Sequence, residues 1–258
     1  MPRYTHAIVR TPAFSLARGI TTQELGAPDI DLARQQHAAY VAALRSLGVD
    51  VTVLDADEQY PDSCFVEDPA VICNGVAIIT RPGAAARRGE TESMRAVLRE
   101  LMPVVELGGG EDVRLEGGDV LICDQRVLVG QTQRTNHMGI KRLAAHLRDI
   151  APGIITTGVP LDGVLHLKTG MTALRPTFLL HDPTCRMEAR FPFARTFTLP
   201  RAQGYAANVL PINAGVLIAK GYPLVATLAS EHYDRVIELD MSEFHKMDGS
   251  LTCLSLLW

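Results

Sequence analysis

The order of apolar and polar positions along the chain predicts a repeated unit of two short strands, a helix and a third strand. Its clearest copy begins with two apolar runs that flank Asn74-Gly75, a dipeptide that supplies the positive φ angles of a type I′ hairpin turn. The segment from Glu90 to Leu101 follows, with acidic residues first and apolar residues at helical spacing. Because residues 104–107 are mostly apolar, they complete the unit as a strand.

The same order recurs along the chain at a spacing of roughly 45–50 residues, which is typical of an array of supersecondary units. The second copy has its turn at Asp124-Gln125, and the third has its turn at residues 213–215. Two further copies are visible as fragments. The predicted helices are 31–47, 135–150, 224–232 and an indistinct one after residue 180, and the predicted strands are 49–54, 120–123, 126–129, 153–156, 164–168, 177–180, 207–212, 216–219 and 235–239.

Three clear copies and two fragments favour an α/β ring of ββαβ modules, with helices outside the strands and a central cavity. An ordinary mixed α/β domain with several hairpins is the alternative that the pattern leaves open. Since no linker, low-complexity run or change of composition divides the chain, we expect one domain over residues 1–258.

Composition narrows the class of protein. The chain of 258 residues is 47% hydrophobic and 21% charged, which is ample for a packed core. Its formal net charge of −4 argues against a nucleic-acid partner, which normally selects a basic surface. We find no apolar run of the roughly 18 residues that a membrane helix requires, and no signal-peptide pattern, so we expect a cytoplasmic protein without membrane contact.

The cysteines and histidines give no sign of a metal or a disulfide framework. The five cysteines are Cys64, Cys73, Cys123, Cys185 and Cys253. They are scattered, form no C-x-x-C pair and are odd in number, which disfavours disulfides and structural zinc. Catalytic zinc motifs, phosphate-binding loops and serine-nucleophile motifs are missing as well. We therefore expect no cofactor, and a thiol, a histidine and carboxylates remain as candidates for chemistry.

Two acidic segments are candidates for binding a cation. Asp62, Glu67 and Asp68 fall within seven residues, and apolar neighbours on both sides draw Glu67 and Asp68 toward the interior. A solvated, turn-forming loop is the simpler interpretation of this segment. Glu116 and Asp119 flank two glycines before a predicted strand, a pattern that allows a close backbone approach but is also common in turns.

One histidine and one cysteine complete the candidate set. Alternation in the predicted strand 164–168 would place His166 and Lys168 on one face, although such a histidine is more often structural. Cys253 follows a turn and lies in an apolar segment that we interpret as a C-terminal strand, where a cysteine usually fills the core. Together these groups suit substitution at a guanidinium carbon. Carboxylates bind its N–H groups, a thiolate attacks its carbon, and an acid protonates the departing amine.

Nine segments in order along the chain resemble the dimethylarginine dimethylaminohydrolases of the pentein superfamily. The segments are A-I-V-R-T-P-A-F-S (7–15), P-D-S-C-F-V-E-D-P (61–69), I-T-R-P-G (79–83), R-R-G-E-T (87–91), E-G-G-D (116–119), R-T-N (134–136), L-H-L-K-T-G (165–170), Y-A-A-N (205–208) and K-M-D-G-S-L-T-C-L-S (246–255). The resemblance implies a five-bladed α/β propeller around a central active-site cavity. It also implies hydrolysis of methylated free arginine to citrulline and an amine.

The resemblance implies a role for each matching residue. Cys253 would be the nucleophile and His166 the general acid and base, with Glu116 as the third catalytic residue. The expected substrate-binding residues are Ile20, Asp62, Glu67, Asp68, Arg87, Arg134 and Met247. Among these, Glu116 and Asp68 would bind the guanidinium, and Arg87 and Arg134 the substrate α-carboxylate. A homodimer is expected on the same ground.

Some positions differ from the family pattern, and related activities stay open. Cys64 stands where valine is frequent, Thr252 where serine is frequent, and Glu116 where some members have aspartate; we predict Cys64 as a second thiol near the pocket. An arginine deiminase or a citrulline-hydrolysing enzyme would use the same catalytic set. A pentein-shaped binding factor is the non-enzymatic alternative, and the retention of thiol, histidine and carboxylate together disfavours it.

Overall fold

The computed structural model describes residues 3–187 and 194–258, which fold into five small sheets built on one plan. In each sheet an antiparallel pair of strands is joined by a third strand that runs parallel to the second. In four sheets a helix connects the second strand to the third. Such parallel connections need a crossover, and a helix supplies it while covering one face of the sheet.

Along the chain, the modules follow one another, joined by segments of 8 to 16 residues. The strands are His6–Arg10, Asp50–Leu54 and Leu256–Leu257 in the first sheet; Ala70–Cys73, Val76–Ile79 and Val104–Glu106 in the second; Val120–Cys123, Arg126–Gln131, Ile155–Asp162 and Arg186–Met187 in the third; Met171–Arg175, Phe178–His181 and Arg195–Thr198 in the fourth; and Leu210–Ile212, Gly215–Ala219 and Arg235–Leu239 in the fifth. The helices are Ile30–Ser46, Glu90–Arg99, His137–Ile150, Leu167–Gly170, Pro223–Ser230 and Ser242–His245.

The modules form a closed ring, as the sequence pattern predicted. Each sheet contacts the next, and the helix of the first contacts the last strand of the fifth. The first strand of each antiparallel pair lines a central cavity of about 800 Å³. The first module is completed by the two ends of the chain, because the strand Leu256–Leu257 pairs antiparallel with His6–Arg10.

Local sequence explains the hairpins and the main helices. The predicted turn residues have the expected left-handed backbone, with φ of 47° at Asn74, 54° at Asp124 and 52° at Asn213. The helix Ile30–Ser46 begins at Asp29, whose side chain accepts two backbone N–H groups. The helix His137–Ile150 begins at Asn136, which accepts the N–H of Gly139, so this predicted cap is confirmed.

Three predicted strands differ from the structure. Residues 164–166 are irregular and lead into the short helix Leu167–Gly170, which contains Lys168, so His166 and Lys168 do not share the face of a strand. Cys253 lies in the 3₁₀ turn Thr252–Leu254, ahead of the final strand. Residues 207–209 precede their strand, which begins at Leu210. Strand pairing decides each case, because an apolar segment without a neighbouring strand has no partners for its backbone.

Two further observations complete the comparison with the sequence. The helix expected after residue 180 falls largely on residues 188–193, which lie outside the described part of the chain. Among the described helices, we find none with the length and the apolar character needed to cross a membrane.

Candidate active site

His166 and Glu116 form a buried pair where the loops of different modules meet. Nε2 of His166 lies 2.6 Å from Oε2 of Glu116 and 3.8 Å from Oδ1 of Asp68. Burial lowers the pKa of His166, but the charge of Asp68 and the hydrogen bond to Glu116 outweigh burial and raise this pKa to about 9. Burial in turn raises the pKa of Glu116, and the hydrogen bond and charge of His166 lower it below its usual range. At neutral pH the imidazolium can therefore donate a proton.

The two glycines of E-G-G-D bring Asp68 against this pair. A Cβ at Gly117 would lie 2.0 Å from the carbonyl oxygen of Glu67, and one at Gly118 would lie 2.7 Å from Oδ1 of Asp68 and 2.8 Å from Nδ1 of His166. The backbone N–H of Gly118 donates to Oδ1 of Asp68 at 2.9 Å. The glycines thus allow a close approach between two protein segments, and the acidic loop is buried instead of solvated.

Cys253 is the one cysteine of the five that is not fully buried. Burial raises the pKa of its thiol to about 12, the charges of Glu67 and Asp68 add to this effect, and Lys168 opposes it. The thiol is therefore neutral at pH 7. A cation bound beside Asp68 would favour the thiolate.

Arg87 is buried and holds the acidic loop in place. Its Nε and Nη2 atoms donate to both carboxylate oxygens of Glu90, at 2.9 and 2.7 Å, and its Nη1 donates to Asp68. Nη2 also reaches the carbonyl oxygens of Asp62 and Phe65. Within the described ranges these contacts use all but one of its five N–H donors, so Arg87 retains one for a substrate.

Arg134 is more accessible than Arg87. Its Nη1 atom lies 3.3 Å from Oε2 of Glu116, and its side chain is 14% exposed. Because only Nη1 contacts Glu116, and does so at a long distance, the other N–H donors of Arg134 are available for a second anion. Arg134 is therefore the better placed of the two predicted arginines for a carboxylate of the substrate.

A small cavity joins most of the predicted site residues. Its lining residues are Ile20, Asp62, Phe65, Asp68, Arg87, Arg134, Leu165, His166, Met247, Asp248, Gly249 and Cys253. Its volume is about 20 Å³, which suffices for one water molecule and not for an amino acid. The space beside the candidate nucleophile and acid is therefore smaller than a substrate, and an amino acid can bind only when neighbouring side chains move.

Ile20 belongs to the lining of this cavity, and two carboxylates hold residues 20–23 in place. The backbone N–H of Ile20 donates to Asp62 at 3.1 and 3.2 Å. Asp248 accepts the backbone N–H of Thr22 at 2.6 Å, the hydroxyl of Thr22 at 3.0 Å, and Nε2 of Gln23 at 2.6 Å. Burial raises the pKa of Asp62, and Arg87 opposes that rise.

Glu67 lies outside the small cavity, in contrast to its predicted contact with substrate. Its Oε1 atom is 2.6 Å from Nζ of Lys168, and its Oε2 accepts the hydroxyl of Thr252 at 3.1 Å. Glu67, Lys168 and Thr252 line the larger central cavity on the other side of Cys253. The carboxylate is directed there because Lys168 is its nearest cation, which sequence spacing does not reveal. Cys64 is also absent from the lining, and burial raises the pKa of its thiol.

Asp119 and Asp248 hold segments that carry active-site residues, and the sequence did not predict these roles. Asp119 is fully buried and accepts the backbone N–H of Leu167 at 2.8 Å, which fixes the residue after His166. Burial raises the pKa of Asp119 to about 6, although the charge of His166 opposes this. The signals were present, since both aspartates belong to the matching motifs E-G-G-D and K-M-D-G-S.

Asp68, Glu116 and His166 are the described side chains close enough together to ligate a metal ion, with one ligand atom of each within 4.8 Å of the others. Their atoms already have protein partners. Glu116 is bonded to His166, and Asp68 is paired with Arg87. The cluster is thus organised for hydrogen bonding and charge balance within the protein.

Comparisons with known proteins agree with this arrangement. The family model described as "N,N dimethylarginine dimethylhydrolase, eukaryotic" matches residues 23–176. The chain is 38% identical to the N(G),N(G)-dimethylarginine dimethylaminohydrolase of Pseudomonas aeruginosa, over 98% of this chain and 99% of that one. It is 37% identical to the protein of the same name from Streptomyces coelicolor, over 96% and 95%.

A solved structure extends the similarity to three dimensions. The Pseudomonas aeruginosa enzyme, solved as a cysteine-to-serine mutant complexed with citrulline, matches with a TM-score of 0.93 at 37% identity. The match covers 100% of both chains. The five-module α/β propeller expected from the sequence is therefore confirmed.

Proposed function

Because the chain belongs to the dimethylarginine dimethylaminohydrolase family of the pentein superfamily, we propose that Cys253 carries out the family's reaction in it. The reaction is hydrolysis of Nω-methylated L-arginine to L-citrulline and methylamine or dimethylamine. The observation that carries the residue assignment is the position of His166, which is hydrogen-bonded to Glu116 and lines the same small cavity as Cys253.

Substrate binding follows from the charges of the cavity. The planar guanidinium binds Asp68 and Glu116, whose carboxylates can accept its N–H groups. The substrate α-carboxylate binds Arg134 and the one remaining N–H of Arg87. Asp62 is the buried carboxylate beside residues 20–23 and suits the α-ammonium group. Ile20 and Met247 cover the aliphatic part of the substrate.

The first half of the reaction forms a covalent intermediate. The positive charge of the bound guanidinium lies beside Cys253, which favours loss of the thiol proton to solvent. The thiolate attacks the guanidinium carbon and gives a tetrahedral adduct. His166 donates its proton to the departing amine nitrogen, the C–N bond breaks, and an S-alkylthiouronium remains on Cys253.

The second half restores the enzyme. Neutral His166 takes a proton from a water molecule, and the resulting hydroxide attacks the thiouronium carbon. The C–S bond breaks, the Cys253 sulfur departs and takes up the proton of the added hydroxyl group, and the carbon becomes the ureido group of citrulline. Glu116 stabilises the imidazolium in both steps through its 2.6 Å bond to Nε2.

A substrate panel tests this proposal. We would measure citrulline and amine release from free dimethylarginine, monomethylarginine, arginine and agmatine, with EDTA present. We expect citrulline and methylamines from the first two, and a folded but inactive Cys253→Ser variant. Ammonia from arginine would move the assignment to a deiminase, and no turnover of any substrate would favour a binding protein.

The remaining expectations concern the whole chain. We propose that residues 1–258 form one catalytic domain that needs no cofactor and works in the cytoplasm on a small molecule. The homodimer stays a prediction, and sedimentation velocity at several concentrations would check it.

A further inference from the structure

The Tyr205–Asn208 segment matches the family pattern but has no part in the reaction described above. Asn208 follows the 3₁₀ helix Arg201–Ala207 and is 1% exposed. A buried amide of this kind must satisfy two donors and an acceptor within the protein. Its hydrogen-bond partners therefore show which segments it connects.

Asn208 joins the segment of the acid to the segment of the nucleophile. Its Nδ2 donates to the carbonyl oxygen of Lys168 at 2.8 Å and to Oγ1 of Thr252 at 3.0 Å. Its Oδ1 accepts the backbone N–H of Thr252 at 3.1 Å. Lys168 follows His166 by two residues, and Thr252 directly precedes Cys253.

Glu67 closes these contacts into a ring of hydrogen bonds. Lys168 Nζ lies 2.6 Å from Oε1 of Glu67, and the hydroxyl of Thr252 donates to Oε2 at 3.1 Å. The backbone N–H of Glu67 donates to the carbonyl oxygen of Cys253 at 3.3 Å. Glu67, Lys168 and Thr252 thus lie within two residues of Asp68, His166 and Cys253 along the chain. Asn208 is the ring member that is distant in sequence from all three.

We propose that Asn208 is a positioning residue, which holds Cys253 in register with His166 and Asp68. The inference rests on the proposed function. Cys253 and His166 lie in a 3₁₀ turn and an irregular segment, where no strand pairing fixes their separation. Side-chain bonds between the two segments must supply that constraint. A displacement of about 1 Å at such a centre can cost about 10²-fold in rate.

The test compares Asn208→Ala with Tyr233→Phe in the full chain. Tyr233 is 7% exposed, and its hydroxyl donates to the carbonyl oxygen of Leu174 at 2.8 Å, without touching the ring or the peptide groups of Asn208. We expect Asn208→Ala to lower kcat on dimethylarginine about 10²-fold with KM little changed. Tyr233→Phe should also lose thermal stability and keep its kcat.

A second pair of variants applies if Asn208→Ala does not fold. Thr252→Val removes the hydroxyl shared by Asn208 and Glu67 at nearly constant volume, whereas Thr252→Ser keeps the hydroxyl. We expect kcat to fall in Thr252→Val and to be near normal in Thr252→Ser. Equal kcat in these two variants would overturn the proposal.

Alkylation of Cys253 by iodoacetamide, followed by peptide mass spectrometry across pH, needs no substrate. We expect the midpoint to move to higher pH in Asn208→Ala, because Lys168 is then less well held near the thiol, and to stay in place in Tyr233→Phe. If the wild-type protein is inactive but the midpoints behave in this way, the proposed function is refuted and the role of Asn208 is not. Unchanged kcat and midpoint in Asn208→Ala, or equal losses in Tyr233→Phe, would refute the role of Asn208.

Discussion

The buried carboxylates of the active site differ in ionisation because their neighbours differ. Glu116 accepts a hydrogen bond from His166 and has a lowered pKa, whereas burial raises the pKa of Asp119 to about 6. Both are fully buried. A hydrogen-bonded cation stabilises the charged form, and burial with weaker compensation destabilises it. Residue type and burial therefore do not determine which groups carry charge in this cavity.

Glu116 should control the pH dependence of the reaction. His166 donates a proton, so kcat of the wild-type enzyme should fall as pH rises through about 9. Glu116→Gln removes the carboxylate that keeps His166 protonated. We expect the alkaline limb of the pH profile of kcat to shift to lower pH by about 1–2 units. A limb that stays in place would show that another group titrates.

Substitution of Arg87 should mainly lower stability, whereas substitution of Arg134 should mainly weaken substrate binding. Arg87→Met leaves Glu90 and Asp68 buried without their cation, and we expect the free energy of unfolding to fall by about 3–5 kcal/mol. Arg134→Met removes one long contact to Glu116, so its stability loss should be much smaller. Its KM should rise about 10- to 100-fold, since a charge-assisted hydrogen bond to substrate is lost. Urea unfolding and steady-state kinetics would check both, and the reverse ranking would contradict these roles.

The catalytic groups lie on irregular elements that regular strands hold in place. Cys253 lies in a 3₁₀ turn and His166 at the start of a four-residue helix. Asp68 lies in the turn that precedes the strand Ala70–Cys73. Such elements leave backbone and side-chain groups free to face the cavity, whereas a strand uses its backbone groups for pairing.

The segment 20–23 should open more readily when its bonds to Asp248 are broken. Gln23→Glu places a carboxylate 2.6 Å from Asp248, and repulsion should raise the rate of Cys253 alkylation about 2- to 5-fold. Asp248 has φ of 58°, a conformation that asparagine tolerates.

Exchange of the two groups provides the control for this prediction. Adding Asp248→Asn to Gln23→Glu restores an amide–carboxylate pair and should return the alkylation rate toward the wild-type value. If Gln23→Glu alone alkylates at the wild-type rate, Asp248 does not hold the segment closed.

At the scale of the whole molecule, the ring depends on a strand of two residues at its C-terminal end. Leu256 is 5% exposed and pairs with Ile8, which is fully buried. Leu256→Ala should lower the free energy of unfolding by about 2–5 kcal/mol, because it opens a cavity between the first and second modules. Leu25→Ala, at a residue 51% exposed, is the control and should be nearly neutral. Equal values in chemical denaturation would show that the end strand contributes little.

Local sequence determined the parts of this protein that depend on neighbours along the chain. Asn74-Gly75 and Asp124-Gln125 specified hairpins, Asn136 specified a helix start, and the spacing of these units predicted a ring. The resemblance also named eight of the twelve residues that line the small cavity. The hairpin and helix predictions succeeded because turn geometry, helix caps and apolar periodicity act over a few residues.

Tertiary structure alone decided how those residues face one another. It turned Glu67 toward Lys168, paired Arg87 with Asp68, and put His166 and Cys253 on irregular segments where strands were predicted. Each outcome depends on a charge or a backbone partner far away in sequence. Burial makes such partners decisive, because an ion or an amide removed from water must find its counterpart wherever the fold places one.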